Sequence, residues 1–176
     1  EKINNKLFER VHPCLIKKDN YIANINGVMN AIILEGNPVG QSVLQGEGAG
    51  PGPTSSALLS DLLSILRGNI KYPFGMPSVK RQRINFFEKD QYLNSLYLRF
   101  VLKDKPGVLS SITKIFTKNK ISIKNLIQNP DKKNKKATII IITHKSLEKN
   151  YNNLFSNLTL NKFVLKKPTF IRIEKV

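Results

Sequence analysis

Cysteine occurs once in this chain, at Cys14, and tryptophan not at all. A lone cysteine excludes an internal disulfide framework and any multi-cysteine zinc site, and it fits a reducing compartment. Histidine is nearly as scarce, with only His12 and His144. Nucleophilic catalysis or metal binding needs a converging set of groups, so His12 and Cys14 read more simply as structural residues than as chemical ones, and no metal is expected. Long apolar runs are missing too. The longest aliphatic run, residues 139–142, falls far short of the roughly 20 residues that a membrane-spanning helix needs, and no basic start precedes an apolar stretch. The expectation is a cytoplasmic chain without a membrane partner. What the chain does have is globular material. Apolar residues make up 40% of it, against 10 Gly and 9 Pro in 176 residues. That excludes collagen, low-complexity and wholly disordered chains, and the length suits one compact domain or two small ones.

The net charge of +17 is unevenly spread. Residues 1–68 carry six Lys/Arg and six Asp/Glu, so the whole excess lies after residue 68. Such asymmetry implies two units of different kind. A nucleic-acid surface needs bases on one face, with aromatics to stack on. Here the lysines are scattered, and the tightest cluster, Lys132, Lys133, Lys135 and Lys136, surrounds Asn134 in what reads as a hairpin turn, where lysine is simply solvated. No nucleic-acid partner is expected.

In the first unit, residues 7–11 read as a strand stopped by His12-Pro13. Apolar runs at 27–35 and 41–45 flank Gly36-Asn37-Pro38-Val39-Gly40 and predict an antiparallel hairpin. Next comes Gly46-Glu47-Gly48-Ala49-Gly50-Pro51-Gly52-Pro53-Thr54, a glycine-dense loop opening onto a helix at 55–66 that Thr54 or Ser55 can cap. A strand, a glycine loop and a helix N-terminus can hold an anion against backbone amides, or can form a tight connection that binds nothing. The spacing matches neither the phosphate-binding loop nor G-x-G-x-x-G. Apolar positions wrap widely around the 55–66 helix, as if it were covered on more than one side. Lys17 and Lys18 sit in a polar loop and read as solvated. Asn24, Asn26 and Asn30 either orient polar neighbours or serve turns and strand pairing.

Several of these segments together resemble a family. Arg10-Val11-His12-Pro13, residues 23–31 (ANINGVMNA), Gly36-Asn37-Pro38-Val39-Gly40, Gly46-Glu47-Gly48-Ala49-Gly50 and Pro53-Thr54-Ser55-Ser56-Ala57 resemble, in order and nearly without gaps, the end of the catalytic domain of homoserine dehydrogenases. The resemblance covers about residues 7–68. It implies a nicotinamide cofactor, NAD or NADP, bound by a dinucleotide-binding domain upstream. Gly48, Ala49, Gly50 and Thr54 would line that nucleotide, and the helix at 55–66 would pack back on its domain. The family's catalytic lysine and homoserine-binding acids would also lie upstream, leaving no catalytic residue in this chain. Cys14 stands where the family usually has threonine, which argues further against thiol chemistry.

Residues 69–94 mix proline with charge and no sustained period, and read as a linker in which 83–87 docks as an extended segment. Beyond it the pattern is regular: a strand at 96–102, a helix at 107–119, strands at 121–128 and 137–143, a helix from Ser146 through Leu158 with Glu148 and Lys149 on its polar side, and a strand at 169–173. That order is the ferredoxin-like βαββαβ plan. The turn Lys103-Asp104-Lys105-Pro106-Gly107-Val108-Leu109 offers free amides for a carboxylate, while Asp104 can hold an ammonium or cap the helix. Asp104-x-Pro106-Gly107 with Leu109, and residues 121–128 (ISIKNLIQ), resemble an ACT domain over residues 95–176. The resemblance implies an amino-acid effector, L-threonine first, at Asp104, Gly107, Val108, Asn125 and Gln128, and a homo-oligomer, dimer or tetramer.

The fold class expected is therefore α+β: residues 1–68 the end of a mixed-sheet catalytic domain, 69–94 a linker, 95–176 a ferredoxin-like regulatory domain. The alternative is a self-contained amino-acid-binding ACT protein without catalysis.

Overall fold

The computed structural model describes residues 1–69, 72 and 75–174. Ile70, Lys71, Pro73 and Phe74 of the expected linker, and Lys175 and Val176 of the expected regulatory domain, lie outside the described residues. In chain order the elements are β1 (Lys2–Ile3), β2 (Lys6–Leu7), β3 (Cys14–Leu15), β4 (Met29–Gly36), β5 (Gly40–Glu47), α1 (Pro51–Leu66) and β6 (Leu93–Lys103). They continue with α2 (Val108–Lys118), β7 (Ile123–Asp131), β8 (Lys136–Thr143), β9 (Ser146–Leu147), α3 (Glu148–Thr159) and β10 (Thr169–Ile173). They form two compact units, one of Glu1–Ile16 with Ile84–Val176 and one of Lys17–Arg83.

In the first of these units, β6, α2, β7, β8, α3 and β10 realise the βαββαβ plan. The sheet runs β3-β10-β6-β8-β7, antiparallel throughout except that β3 lies parallel to β10. Side chains alternate across a strand, so Leu96, Leu98, Phe100 and Leu102 of β6 all face the helices, joined by Ala137, Ile139 and Ile141 of β8. Val108, Ile112 and Phe116 on α2 follow the i, i+4 spacing that puts one face down on this layer; Tyr151, Leu154 and Leu158 do the same from α3. All are buried and form one core. In the turn between β7 and β8, Asp131 accepts from the backbone and side-chain amides of Asn134. Those bonds hold its carboxyl below the usual range.

Residues 1–16, grouped by sequence with 17–68, pack in the same unit as 84–176. The strand expected at 7–11 shrinks to β2, because the residues after Leu7 are held by side chains rather than by a ladder. The Phe8 ring stacks on Tyr92 at 4.0 Å, and the Arg10 guanidinium lies within 4.9 Å of both ring centres. The expected docking of residues 83–87 takes the form of backbone bonds to Leu7, from Leu7 N–H to Asn85 O and from Phe87 N–H to Leu7 O, each 2.8 Å.

In the unit Lys17–Arg83, β4 and β5 form the expected hairpin, in register from Met29↔Glu47 to Gly36↔Gly40. Not one described residue between 17 and 83 is buried. Leu58, Leu59, Leu62, Leu63, Ile65 and Leu66 of α1 are 46–73% exposed, and Ile32, Leu34 and Leu44 of the hairpin are exposed as well. Apolar surface of that extent is what a larger protein covers.

Candidate functional site

Two places hold the residues singled out from the sequence. The first is the loop from β5 into α1. Gly48 N–H donates to Val28 O at 2.9 Å, closing the loop against the start of β4. A Cβ on Gly48 would overlap the Asn30 side chain, so this position accepts no side chain while Asn30 points there. Gly50 has φ 125° and ψ 156°, a region essentially reserved for glycine. Cβ atoms on Gly46 or Gly52 would meet open space. The result is an exposed strip of backbone with few side chains.

Thr54 or Ser55 was expected to cap α1, but the helix begins a turn earlier, at Pro51, and Gly50 precedes it without a side-chain cap. Proline at the first position suits a helix start, since its missing N–H has no intrahelical partner there anyway. Thr54 N–H then bonds Gly50 O at 3.2 Å, and the Ser55 hydroxyl donates back to Pro51 O at 2.6 Å. Pro51 and Pro53 have no N–H, which leaves the Gly52 amide to meet an anion at this end. Gly48, Ala49, Gly50 and Thr54 are all exposed along this strip. Gly50→Ala is expected to cost about 1–3 kcal/mol of local backbone strain at the start of α1. The check is a lowered thermal midpoint of the full-length protein, with Gly52→Ala as the unstrained comparison.

The second place is the turn from β6 into α2. A cavity of about 400 Å³ is lined there by Leu102 through Leu109 together with Gln128, Ala137 and Ile139. The Gln128 amide donates to Asp104 Oδ1 at 3.3 Å, tying the turn to β7. Asp104 therefore does not cap α2, whose capping position is Gly107, at φ 82°, with no side-chain bond. In the first turn, Val108 N–H reaches Lys105 O and Ser111 N–H reaches Gly107 O. Among the described residues the Leu109 and Ser110 amides have no such backbone acceptor. A carboxylate oxygen acceptor beside open helix amides matches the ammonium and carboxylate of one α-amino acid. Asp104, Gly107, Val108 and Gln128 meet at this cavity. Asn125 does not line it: Leu126 packs on the core and Gln128 shares that face, whereas Asn125, an odd step away, belongs to the other side of the sheet.

The expectation that Glu148 lies on the polar side of α3 is overturned. Glu148 is buried at the first turn, accepting from Asn94 Nδ2 at 2.6 Å and from the Arg172 guanidinium, with Arg10 Nη1 at 3.8 Å. Burial raises its pKa, but the hydrogen bonds and charges of Arg172, Asn94 and Arg10 outweigh burial and hold it below the usual carboxylate range. Next to it the Tyr151 hydroxyl contacts Thr143 Oγ1 at 2.7 Å, and burial pushes its pKa up to about 12. One signal was available: Glu148 lies three residues before Tyr151, on the same helical stripe.

His12 sits 3.5 Å from Glu174, and burial with the Glu174 charge pushes the exposed Cys14 thiol up. Among the described residues no group of three or more His, Cys, Asp or Glu side chains could hold a metal ion. None of their helices is long and apolar enough to cross a membrane.

A βαββαβ unit with this cavity at the first β-to-α turn defines the class, and residues 96–154 match the ACT domain. Residues 3–63 match homoserine dehydrogenase. Over nearly its whole length the chain is similar to the C-terminal part of homoserine dehydrogenases. The homoserine dehydrogenase of Helicobacter pylori is 35% identical over 165 residues, covering 94% of this chain and 39% of that protein. That of Neisseria gonorrhoeae is 34% identical, covering 95% and 40%. The crystal structure of a homoserine dehydrogenase from Thiobacillus denitrificans superimposes with a TM-score of 0.84 at 32% identity, over 99% of this chain and 40% of that one. The chain thus spans about two fifths of the length of the curated relatives it matches.

Proposed function

We propose that this chain is the C-terminal part of a cytoplasmic, homo-oligomeric (dimeric or tetrameric) homoserine dehydrogenase, which interconverts L-aspartate 4-semialdehyde and L-homoserine on the route to threonine, methionine and isoleucine. The observation that carries this reading is the unit Lys17–Arg83, where a side-chain-poor glycine strip leads into a helix whose leucines have no cover. NAD or NADP supplies the hydride acceptor and donor when bound. Gly48, Ala49, Gly50 and Thr54 border it, the glycines allowing close approach and the Gly52 amide facing an anionic group. The uncovered α1 also weighs against a self-contained ACT protein. In the ACT domain, Asp104 takes the ammonium of an amino-acid effector, L-threonine first, the Leu109 and Ser110 amides take its carboxylate, and Gln128 orients Asp104.

The test is homoserine-dependent reduction of NAD and of NADP by the full-length protein and by the 176-residue chain. Activity is expected in the first and none in the second, since the described residues hold no complete dinucleotide-binding fold. Turnover by the chain alone, or none by the full-length protein, would sink the reading.

A further inference from the structure

The chain leaves the unit that contains the ACT domain at Ile16 and re-enters it at Ile84, so the excursion Lys17–Arg83 is anchored at both ends on one body. Both anchors are built, and they adjoin. Leu7 exchanges backbone hydrogen bonds with Asn85 and Phe87. Phe8 lies flat on Tyr92 and edge-on to Phe87. Downstream, β3 adds to the sheet edge beside β10, and Glu174 N–H donates to Leu15 O at 2.9 Å. Between these contacts stands Arg10, its side chain only 16% exposed, facing Glu148.

Two features make this clasp releasable. Arg10 Nη1 and Nη2 are buried and make no hydrogen bond among the described residues, so the docked arginine is incompletely satisfied. Glu148 keeps Arg172 and Asn94 whether or not Arg10 is present, so release leaves the carboxylate paired. One strand joins the clasp to the effector cavity: β6 carries Leu102 and Lys103 in the cavity wall at one end and Asn94, bonded to Glu148, at the other.

We propose that residues 6–16 with 85–87 form a strap through which occupancy of the ACT cavity acts on the rest of the protein, with Arg10 as its positioning residue. This rests on the effector reading given above. Effector binding shifts the end of β6 and α3, the Arg10–Glu148 contact is strengthened or lost, and both crossings of the chain move with it.

The experiment uses the full-length protein with L-threonine as probe, in wild-type, Arg10→Met and Arg10→Lys forms. Three quantities are read: L-threonine affinity by calorimetry, inhibition of homoserine oxidation, and amide hydrogen exchange of residues 6–16 and 85–87. Wild type is expected to bind, to be inhibited, and to change exchange in the strap. Arg10→Met is expected to bind with the same affinity while the inhibition at saturating L-threonine falls about tenfold or more and the exchange change disappears. Arg10→Lys, which keeps the charge without the planar stack, is expected to fall between them. Phe8→Leu serves if Arg10→Met does not fold. Wild-type inhibition in a well-folded Arg10→Met that binds normally overturns the strap. A wild type that binds no L-threonine overturns the effector reading, and the strap's regulatory role falls with it.

Discussion

Replacing Glu148 with alanine is expected to destabilise the unit that contains the ACT domain by about 3–5 kcal/mol, the range for removing one partner of a buried ion pair. The carboxylate is only 8% exposed and is the anion that faces both Arg172 and Arg10. Without it the half-buried guanidinium groups of Arg172 and Arg10 lose the carboxylate they face, and Asn94 loses the acceptor for its side-chain amide. The charge pair itself contributes little net stability, so Glu148→Leu combined with Arg172→Leu is expected to recover part of the loss, while Arg10 and Asn94 stay without their carboxylate. Urea denaturation of the 176-residue chain checks both variants. Acid should report the same cluster. The folded pKa of Glu148 lies below its ordinary value of about 4.3, so the unfolded chain binds the proton more readily. The stabilisation is complete above that value and is lost as pH falls through the lowered folded pKa. Wild type should therefore lose more stability below about pH 4 than the double variant, which keeps only the smaller acid response of carboxylates such as Asp131.

On the effector reading proposed above, replacing Asp104 with asparagine is expected to weaken L-threonine binding by about fivefold. Asp104 is exposed, and an ammonium that loses an exposed carboxylate partner gives up about 1 kcal/mol. Asparagine keeps the shape and an oxygen acceptor for Gln128, so the change isolates charge. Asn125→Ala, on the other face of the sheet, is expected to leave affinity within about twofold, because surface changes away from a site stay within about 0.5 kcal/mol. Calorimetric titration of the full-length protein distinguishes the two. Equal losses in both variants would mean that the effector lies elsewhere.

The regular elements were readable because their signal is local. Alternation along residues 96–102, the i, i+4 spacing of Val108, Ile112 and Phe116, and the Asn37-Pro38 turn between two apolar runs each depend on a few neighbouring residues. Asp104 and Gln128 were readable as a pair only through resemblance to a family; their bond joins residues from two strands that no local pattern relates.

By itself the sequence determined the βαββαβ order, the hairpin, the glycine strip and the proline-glycine turn after Asp104, since each follows from periodicity or from proline and glycine geometry. Tertiary structure alone decided that residues 1–16 pack in the unit that contains the ACT domain, that Glu148 is buried against Arg172 and Arg10, and that Asn125 lies across the sheet from the cavity. The reason is physical. Two-residue strands such as β3 carry no periodic signal, and a carboxylate at a helix start can be solvated or buried according to which cations distant parts of the chain bring to it.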